Sequence, residues 1–269
     1  MKLSCSNIAW PAEADGEMHA FLAENHFLGV EIAPTRLFPQ NPYDNLSLAN
    51  RFSRELKETF GLSIPSMQAI WFGVEESIFG TDAERESLLR YTKKAIDFAQ
   101  AIRCPSLVFG CPQNRRIPSD MPEGEAHPIA QAFFRQIGDY AASRGTCIAM
   151  EPVPAIYHTN FINTTAQAFD LCKQLNNPGI KVNVDLGTVI HNGEDFRLIG
   201  ENLHLVNHIH ISEPYLAPIQ HRALHRELAD YLSDLDYDRF VSIEMKNPGD
   251  NTLVKEAVLY IKEVFRGLS

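Results

Sequence analysis

Long apolar runs and an excess of positive charge are both missing from the sequence. No stretch approaches the roughly 20 apolar residues that cross a bilayer, and the first residues, Met1 to Cys5, lack the apolar core of a secretory signal. We therefore expect a cytoplasmic protein with no membrane partner. The net charge of −10 disfavours binding to nucleic acid, because a grip on phosphate backbones needs clustered lysine and arginine.

Cysteine is also scarce, and glycine-rich phosphate motifs are missing. The five cysteines include no CxxC pair, so we interpret them as reduced packing residues rather than a disulfide framework or a zinc knuckle. Neither GxGxxG nor GxxxxGK(S/T) occurs, which disfavours a doubly wound sheet that binds nucleotides.

Short β-branched segments alternate with longer amphipathic ones along the whole chain, a pattern typical of a parallel sheet with crossover helices. Eight segments are candidate strands: residues 3–9, 29–33, 63–68, 106–109, 146–151, 181–185, 208–211 and 239–244. Eight strand-then-helix units predict an α/β fold, namely a (β/α)8 TIM barrel. We expect a single domain over residues 1–269, a length that such barrels routinely reach.

The segments between the candidate strands carry helical periodicity. Residues 82–101 repeat apolar side chains every three to four positions, and Thr81 or Asp82 is a candidate cap. Further helices are predicted at 165–175 and 251–265. Two long loops, 71–80 and 110–125, follow the third and fourth candidate strands, and we expect them at the carboxyl-terminal rim, where barrel active sites form.

Polar residues stand at the ends of the last four candidate strands, where a barrel interior would otherwise be apolar. Glu151, Asp185 and Glu244 each end an apolar run. His208 and His210 alternate with isoleucine, and only His210 lies near the rim. Strand alternation directs the three carboxylates and His210 toward the barrel axis, whereas His208 is expected to be a packing residue.

Gathered carboxylates repel one another, and either raised pKa values or a bound cation relieves that repulsion. A divalent cation does so most simply, and mixed oxygen and nitrogen ligands suit Mn²⁺, Mg²⁺, Co²⁺ or Zn²⁺. The sequence therefore predicts one divalent metal on Glu151, Asp185, His210 and Glu244. Taken alone, each carboxylate would more often be a helix cap or an ion-pair partner at the rim.

Four motifs in this order resemble the xylose isomerase-like TIM-barrel superfamily: IAMEP at 148–152, VNVD at 182–185, HIHISE at 208–213 and SIE at 242–244. The likeness covers essentially the whole chain and is to the sugar-phosphate isomerase/epimerase group, which includes ketose 3-epimerases and shares the fold of endonuclease IV. It implies that the two glutamates, Glu151 and Glu244, also act as acid and base on opposite faces of the substrate, through an enediolate. It implies one metal, with manganese the first expectation.

The chain departs from the epimerase pattern at three positions. The resemblance implies a substrate-binding His, a Glu and an Arg where this chain has Thr188, Tyr157 and Leu216. The metal site is therefore better defined than the substrate. A trinuclear zinc site of the endonuclease IV kind would also need histidines where the chain has Gln68 and Phe109, so one metal rather than three is expected.

Six residues at strand ends or in the following loops are candidates for binding substrate: Gln68, Trp71, Arg115, His158, Glu213 and Lys246. Trp71 could stack on a sugar face, and Arg115 could bind a phosphate or carboxylate. The alternatives are a packing role for Trp71 and a solvated surface role for Arg115. Glu31 is expected at the same rim.

Together these patterns predict a metal-dependent isomerase or epimerase of a sugar, a sugar phosphate or a related ketone. Two alternatives stay open. An enediolate beside a leaving group can eliminate, which would make the protein a metal-dependent lyase or dehydratase of a keto-sugar or inosose, and the barrel could also be a non-catalytic subunit. The expected partner is a small-molecule carbohydrate, and the sequence leaves room for a homo-oligomer.

Overall fold

The computed structural model describes residues 1–266. Within them seven strands form one parallel sheet: β1 (Lys2–Ser6), β2 (Gly29–Glu31), β3 (Ser106–Phe109), β4 (Cys147–Met150), β5 (Ile180–Asp185), β6 (Val206–Ile211) and β7 (Phe240–Ile243). Their order in the sheet is β2-β1-β7-β6-β5-β4-β3. This order confirms the predicted α/β barrel fold. The predicted domain includes residues 267–269, which lie outside the described residues.

The third candidate strand, residues 63–68, lies in the gap between β2 and β3, but the prediction of a regular strand there is wrong. On one side the Val30 N–H donates to the Ser63 carbonyl (2.9 Å), and on the other the Val108 N–H donates to the Met67 carbonyl (2.7 Å). The pairing consists of isolated bridges. A proline at position 65 has no N–H to offer a ladder, so the segment closes the ring without forming a continuous strand.

The first candidate strand, residues 3–9, is also too long. β1 ends at Ser6, and Asn7–Ala9 form a 3-10 turn. The Asn7 side chain accepts a hydrogen bond from the Ala33 N–H (2.9 Å). Just beyond β1 and β2, this side-chain bond takes the place of a backbone hydrogen bond between the two strands. The remaining candidate strands agree with the structure to within one or two residues at each end.

Ten helices accompany the strands in the described part of the chain: α1 (Asp15–Glu24), α2 (Pro34–Leu37), α3 (Leu46–Phe60), α4 (Asp82–Ala101), α5 (Glu123–Ser143), α6 (Thr165–Leu175), α7 (Leu186–Asn192), α8 (Leu198–Glu201), α9 (Ala223–Asp234) and α10 (Asn251–Arg266). The bounds predicted for α4 and α6 are confirmed. Thr81 caps α4 in a reciprocal pair with Glu84, because each side chain bonds the other's backbone N–H. Over residues 1–266, no helix is both long enough and apolar enough to span a bilayer.

Strand alternation separates apolar from polar side chains inside the barrel. Ile209 and Ile211 of β6 pack in the hydrophobic core, whereas His208 and His210, which alternate with them, contact polar groups of other strands. β5 repeats the pattern, since its valines belong to the core while Asn183 bonds to side chains of the neighbouring strands. The polar row therefore runs along the barrel interior and ends at its carboxyl-terminal rim.

We expect Gly179→Ala to lower the free energy of unfolding by about 2–3 kcal/mol, because a Cβ at position 179 overlaps the backbone of α5. That Cβ would clash with the Gly138 carbonyl and lie 2.9 Å from the Ala142 nitrogen. Gly16→Ala is the matched control, since nothing lies within 4 Å of its Cβ position in α1. It should stabilise the protein by about 0.5–1 kcal/mol. Equal chemical-denaturation midpoints for the two variants would contradict this close approach.

Candidate metal centre

Four side chains meet where the carboxyl ends of β4 to β7 converge. Each strand contributes one of them: Glu151 directly after β4, Asp185 at the end of β5, His210 within β6 and Glu244 directly after β7. One ligand atom from each lies within 4.8 Å of all the others. The residues predicted as metal ligands are thus brought together, and we call them the four-residue cluster.

The His210 imidazole touches both glutamates of the cluster. Its Nδ1 lies 3.0 Å from Glu151 Oε1 and 3.1 Å from Glu244 Oε2. The side-chain amide of Asn183 donates to Glu151 Oε1 (2.8 Å), and that of Gln68 donates to Glu244 Oε1 (2.7 Å). Each glutamate is therefore oriented by its own amide donor.

Asp185 has two structural partners besides the cluster. Its Oδ2 accepts hydrogen bonds from the Thr188 N–H (2.7 Å) and hydroxyl (2.8 Å), which makes Asp185 the N-cap of α7, and the Ser212 hydroxyl donates to Oδ1. The helix-cap alternative for this residue is therefore correct. An ionised carboxylate has about four lone-pair sites, so a cap can still bind a cation.

Two glycines leave room for carboxylates of the cluster. A Cβ on Gly110 would lie 2.5 Å from Glu151 Oε2, and a Cβ on Gly187 would lie 3.2 Å from Asp185 Oδ2. A side chain on Gly110 would displace the Glu151 carboxylate, whereas a side chain on Gly187 would require the neighbouring atoms to shift by a few tenths of an ångström. Sequence reasoning missed both glycines, because the space beside a glycine depends on how the fold directs the neighbouring side chains.

Burial opposes ionisation of the cluster carboxyl groups and raises the pKa of Glu151, Asp185 and Glu244. Burial also opposes charging of the imidazole, but the neighbouring carboxylates outweigh it, and the pKa of His210 lies well above its ordinary value. In the metal-free protein, bound protons therefore reduce the repulsion between the cluster carboxylates, as a cation would.

Glu31 lies behind the cluster and contacts the other ring nitrogen of His210. Its Oε2 is 3.0 Å from His210 Nε2 and 3.3 Å from His208 Nε2, and the Ser66 hydroxyl donates to the same oxygen. Burial opposes the ionisation of Glu31, but the two imidazoles outweigh it and lower the pKa of Glu31. A proton on Nε2 shared with Glu31 leaves the Nδ1 lone pair facing the cluster, which is the tautomer that a metal ligand needs.

The donor set of the cluster fits a divalent cation. Three carboxylates and one imidazole are ligands that suit Mn²⁺, Mg²⁺, Co²⁺ or Zn²⁺. The same groups are largely buried, and buried carboxylates are costly unless a cation or a proton compensates their charge. The outer carboxylate on the histidine also matches the usual support of metal-binding imidazoles. The cluster can therefore hold a metal ion, with Glu31 as the supporting group.

A cavity of about 670 Å³ opens beside the cluster, a size typical of small-molecule sites. Its lining includes Glu151, Asp185 and Glu244. The two loops predicted at the rim, 71–80 and 110–125, also contribute to the lining. The four-residue cluster therefore adjoins a pocket in which a substrate could bind.

Three of the predicted substrate-binding residues line this pocket, but their polar groups are largely engaged. Gln68 bonds to Glu244, as described above. Trp71 is buried, its indole N–H donates to the Thr92 hydroxyl (2.9 Å), and its ring packs edge-on against aromatic neighbours, so it forms a wall. Glu213 is buried in a two-point ion pair with Arg222 (2.6 and 2.7 Å).

The structure places the other three predicted residues away from the pocket lining. Arg115 is fully buried, and its guanidinium donates to the main-chain carbonyls of Glu151 (2.9 Å) and Ile162 (3.2 Å), so it supports the loop after β4. Burial lowers the pKa of Arg115 to about 10. His158 and Lys246 are exposed in loops beyond β4 and β7, where strand alternation no longer sets the direction of a side chain.

Thr188, Tyr157 and Leu216, which depart from the epimerase pattern, all line the pocket. Thr188 bonds to Asp185, and the Tyr157 hydroxyl accepts a hydrogen bond from the Tyr215 N–H (2.5 Å). Leu216 offers an apolar side chain. All three residues therefore contribute to the surface that a substrate would meet, and Thr188 also holds a carboxylate of the cluster.

Comparison with known proteins agrees with this architecture. The family model described as "Xylose isomerase-like TIM barrel" matches residues 20–264. Among solved structures, D-psicose 3-epimerase from Clostridium cellulolyticum H10 has a TM-score of 0.79 at 16% identity and covers 99% of each chain. The 3-keto-D-glucoside 4-epimerase YcjR from E. coli has a TM-score of 0.77 at 17% identity and covers 98% of this chain and 99% of its own.

An AP endonuclease of family 2 from Brucella melitensis is similar as well, with a TM-score of 0.74 at 22% identity over 96% of this chain and 97% of its own. No curated protein sequence matches the chain. At these identities the structural likenesses establish the fold, and they leave the substrate open.

We expect Glu31→Gln to weaken Mn²⁺ binding about 10- to 100-fold, because the amide no longer holds the Nε2 proton of His210 as a carboxylate does. Glu75→Gln is the matched control, since Glu75 is an exposed acidic residue of the pocket lining that has no contact with His210. Calorimetric titration of the metal-free proteins measures both affinities. Equal losses in the two variants would show that total charge, rather than contact with His210, sets the affinity.

We also expect Mn²⁺ binding to release protons at neutral pH and to weaken as the pH falls. Because the pKa of His210 is raised in the metal-free protein, the imidazole keeps its second proton to a higher pH, and a cation must displace it. The affinity should therefore rise with pH until that raised pKa is passed. Titrations in buffers of different ionisation enthalpy count the protons. An affinity that stays constant between about pH 6 and 8 would contradict this expectation.

Proposed function

The chain belongs to the xylose isomerase-like TIM barrel family, and from that premise we propose that it is a divalent-metal-dependent isomerase or epimerase of a sugar or related ketone. The observation that carries the proposal is the four-residue cluster beside a pocket of small-molecule size. D-psicose 3-epimerase and 3-keto-D-glucoside 4-epimerase, whose structures are similar, are named for activities of this kind.

Glu151 and Glu244 are the proposed acid and base. One takes a proton from the carbon beside the substrate carbonyl, which gives an enediolate, and the other returns a proton to the opposite face. Both carboxylates also line the pocket, where they would face a bound substrate. Their separate amide donors, Asn183 and Gln68, would keep the two carboxylates apart and oriented while a proton moves.

The proposed metal ligands are Glu151, Asp185, His210 and Glu244, with Mn²⁺ as the metal. When bound, a divalent cation supplies polarisation of a carbonyl and stabilisation of negative charge on oxygen. Asp185, fixed as the cap of α7, would hold its carboxylate in place without taking part in proton transfer.

A cytoplasmic location is consistent with the five free cysteines.

We propose a small-molecule carbohydrate rather than nucleic acid as the partner. One similar structure is named an AP endonuclease, but this chain has a net charge of −10. Its pocket is also lined by acidic rather than basic side chains in the described residues. The acidic side chains of the pocket would repel the phosphates of a nucleic acid backbone.

The test of the proposed function is solvent exchange. Ketoses incubated in D₂O with the Mn²⁺-loaded protein should gain deuterium beside the carbonyl without net loss of water, as followed by NMR. Net dehydration would indicate the lyase alternative. A metal-loaded protein that exchanges no proton in any ketone would indicate the non-catalytic alternative.

We expect Glu151→Gln and Glu244→Gln each to lower turnover about a hundredfold or more while part of the metal is retained, because an amide oxygen can bind a cation but cannot exchange protons. Each variant should lose exchange of one substrate proton and keep the other. Glu256→Gln, at an exposed position of α10 outside the pocket lining, serves as the control and should keep turnover within a few-fold. If both cluster variants, fully loaded with metal, remain within a few-fold as well, another group carries the proton, and Tyr157 in the pocket lining is the next candidate.

A further inference from the structure

The pocket lining has charge of one sign. Five acidic residues line it: Glu75, Glu151, Asp185, Glu213 and Glu244. Across residues 1–266, no lysine, arginine or histidine belongs to the lining. Three of the acids belong to the four-residue cluster, so their charges outnumber the two charges of a divalent ion. The pocket therefore has no group to neutralise an anionic substituent of a substrate.

Two other groups that could bind a phosphate, a helix N-terminus and an arginine, are already hydrogen-bonded to protein side chains. At the start of α7, the Gly187 N–H donates to the Ser212 hydroxyl (2.8 Å) and the next N–H donates to Asp185 (2.7 Å). Arg222 lies behind the lining, and its guanidinium is bound at two points by Glu213. A phosphate in this pocket would thus find neither a free helix end nor a free guanidinium.

Part of the lining is apolar. It includes Phe72, Val74, Pro112, Val153 and Leu216. The Phe72 side chain is 70% exposed, although it is among the largest apolar side chains of the molecule. An exposed phenyl ring that continues a pocket wall is typical of a surface that a ligand covers.

We propose that the substrate is an uncharged, unphosphorylated keto-sugar that carries an apolar substituent. The sugar carbonyl lies at the four-residue cluster, and the substituent lies against Phe72, Val74 and Leu216. The position of the carbonyl rests on the proposed function, whereas the choice of substituent rests on the charge and the apolar character of the lining.

Calorimetric binding to the Mn²⁺-loaded protein tests the substrate class independently of turnover. The probes are a free ketohexose, its 6-phosphate, and the methyl and phenyl glycosides of one hexose oxidised to a ketone at C3, in which the carbonyl stays free because the glycosidic bond is at C1. The phenyl glycoside should bind at least about tenfold more tightly than the methyl glycoside, because its ring covers apolar lining. The phosphate should bind at least about tenfold more weakly than the free sugar. A phosphate that binds more tightly than the sugar, equal affinities for the two glycosides, or no binding of any probe would overturn the proposal.

Substitutions at two positions assign the effect to the lining. Phe72→Ala should remove most of the preference for the phenyl glycoside, whereas Phe72→Leu should keep part of it. Leu216→Arg should strengthen binding of the phosphate at least about tenfold, and Leu216→Gln, similar in size but uncharged, should not. Unchanged preferences in Phe72→Ala and Leu216→Arg would overturn the placement. If the binding order holds while no probe exchanges deuterium, the proposed function fails and the substrate class stands.

Discussion

One imidazole buried between carboxylates on both of its edges is the interaction on which the rest of the site depends. His210 contacts Glu31 through Nε2, and Glu151 and Glu244 through Nδ1. In a low-dielectric interior these groups interact strongly, and their charges must be balanced by protons or by a cation. A parallel barrel brings these residues together, because the carboxyl ends of strands far apart in the sequence meet at one rim.

The support of this cluster extends into the surrounding structure. Asp185 caps α7 while it faces the other residues of the four-residue cluster, so the position of a helix and that of a carboxylate are coupled. Arg115 binds the carbonyl of Glu151 from below (2.9 Å), and Gly110 leaves room for the carboxylate above it. Two residues of the loop after β3 thus help to fix one glutamate. Substitutions remote from the pocket can therefore change metal binding or proton transfer without touching a substrate.

The cluster and the pocket differ in how far local patterns predict them. An acidic residue at the end of an apolar strand points inward because alternation is a property of the strand itself, and Glu151 and Asp185 follow this rule. Lys246 does not, since β7 has ended at Ile243 and the chain turns away. Arg115 shows a second limit of prediction from sequence. It is buried and binds main-chain carbonyls, but nothing in the neighbouring residues distinguishes it from a solvated arginine.

The sequence by itself determined the order of strands and helices, the barrel fold and the identity of the four cluster residues, because periodicity and strand ends are local properties of the chain. Only the tertiary structure decided that residues 63–68 close the ring through isolated bridges around Pro65. It also decided that Glu31 lies behind His210, and that the pocket has acidic and apolar walls without a cation. These features depend on contacts between segments far apart in the chain, and no local pattern encodes such contacts.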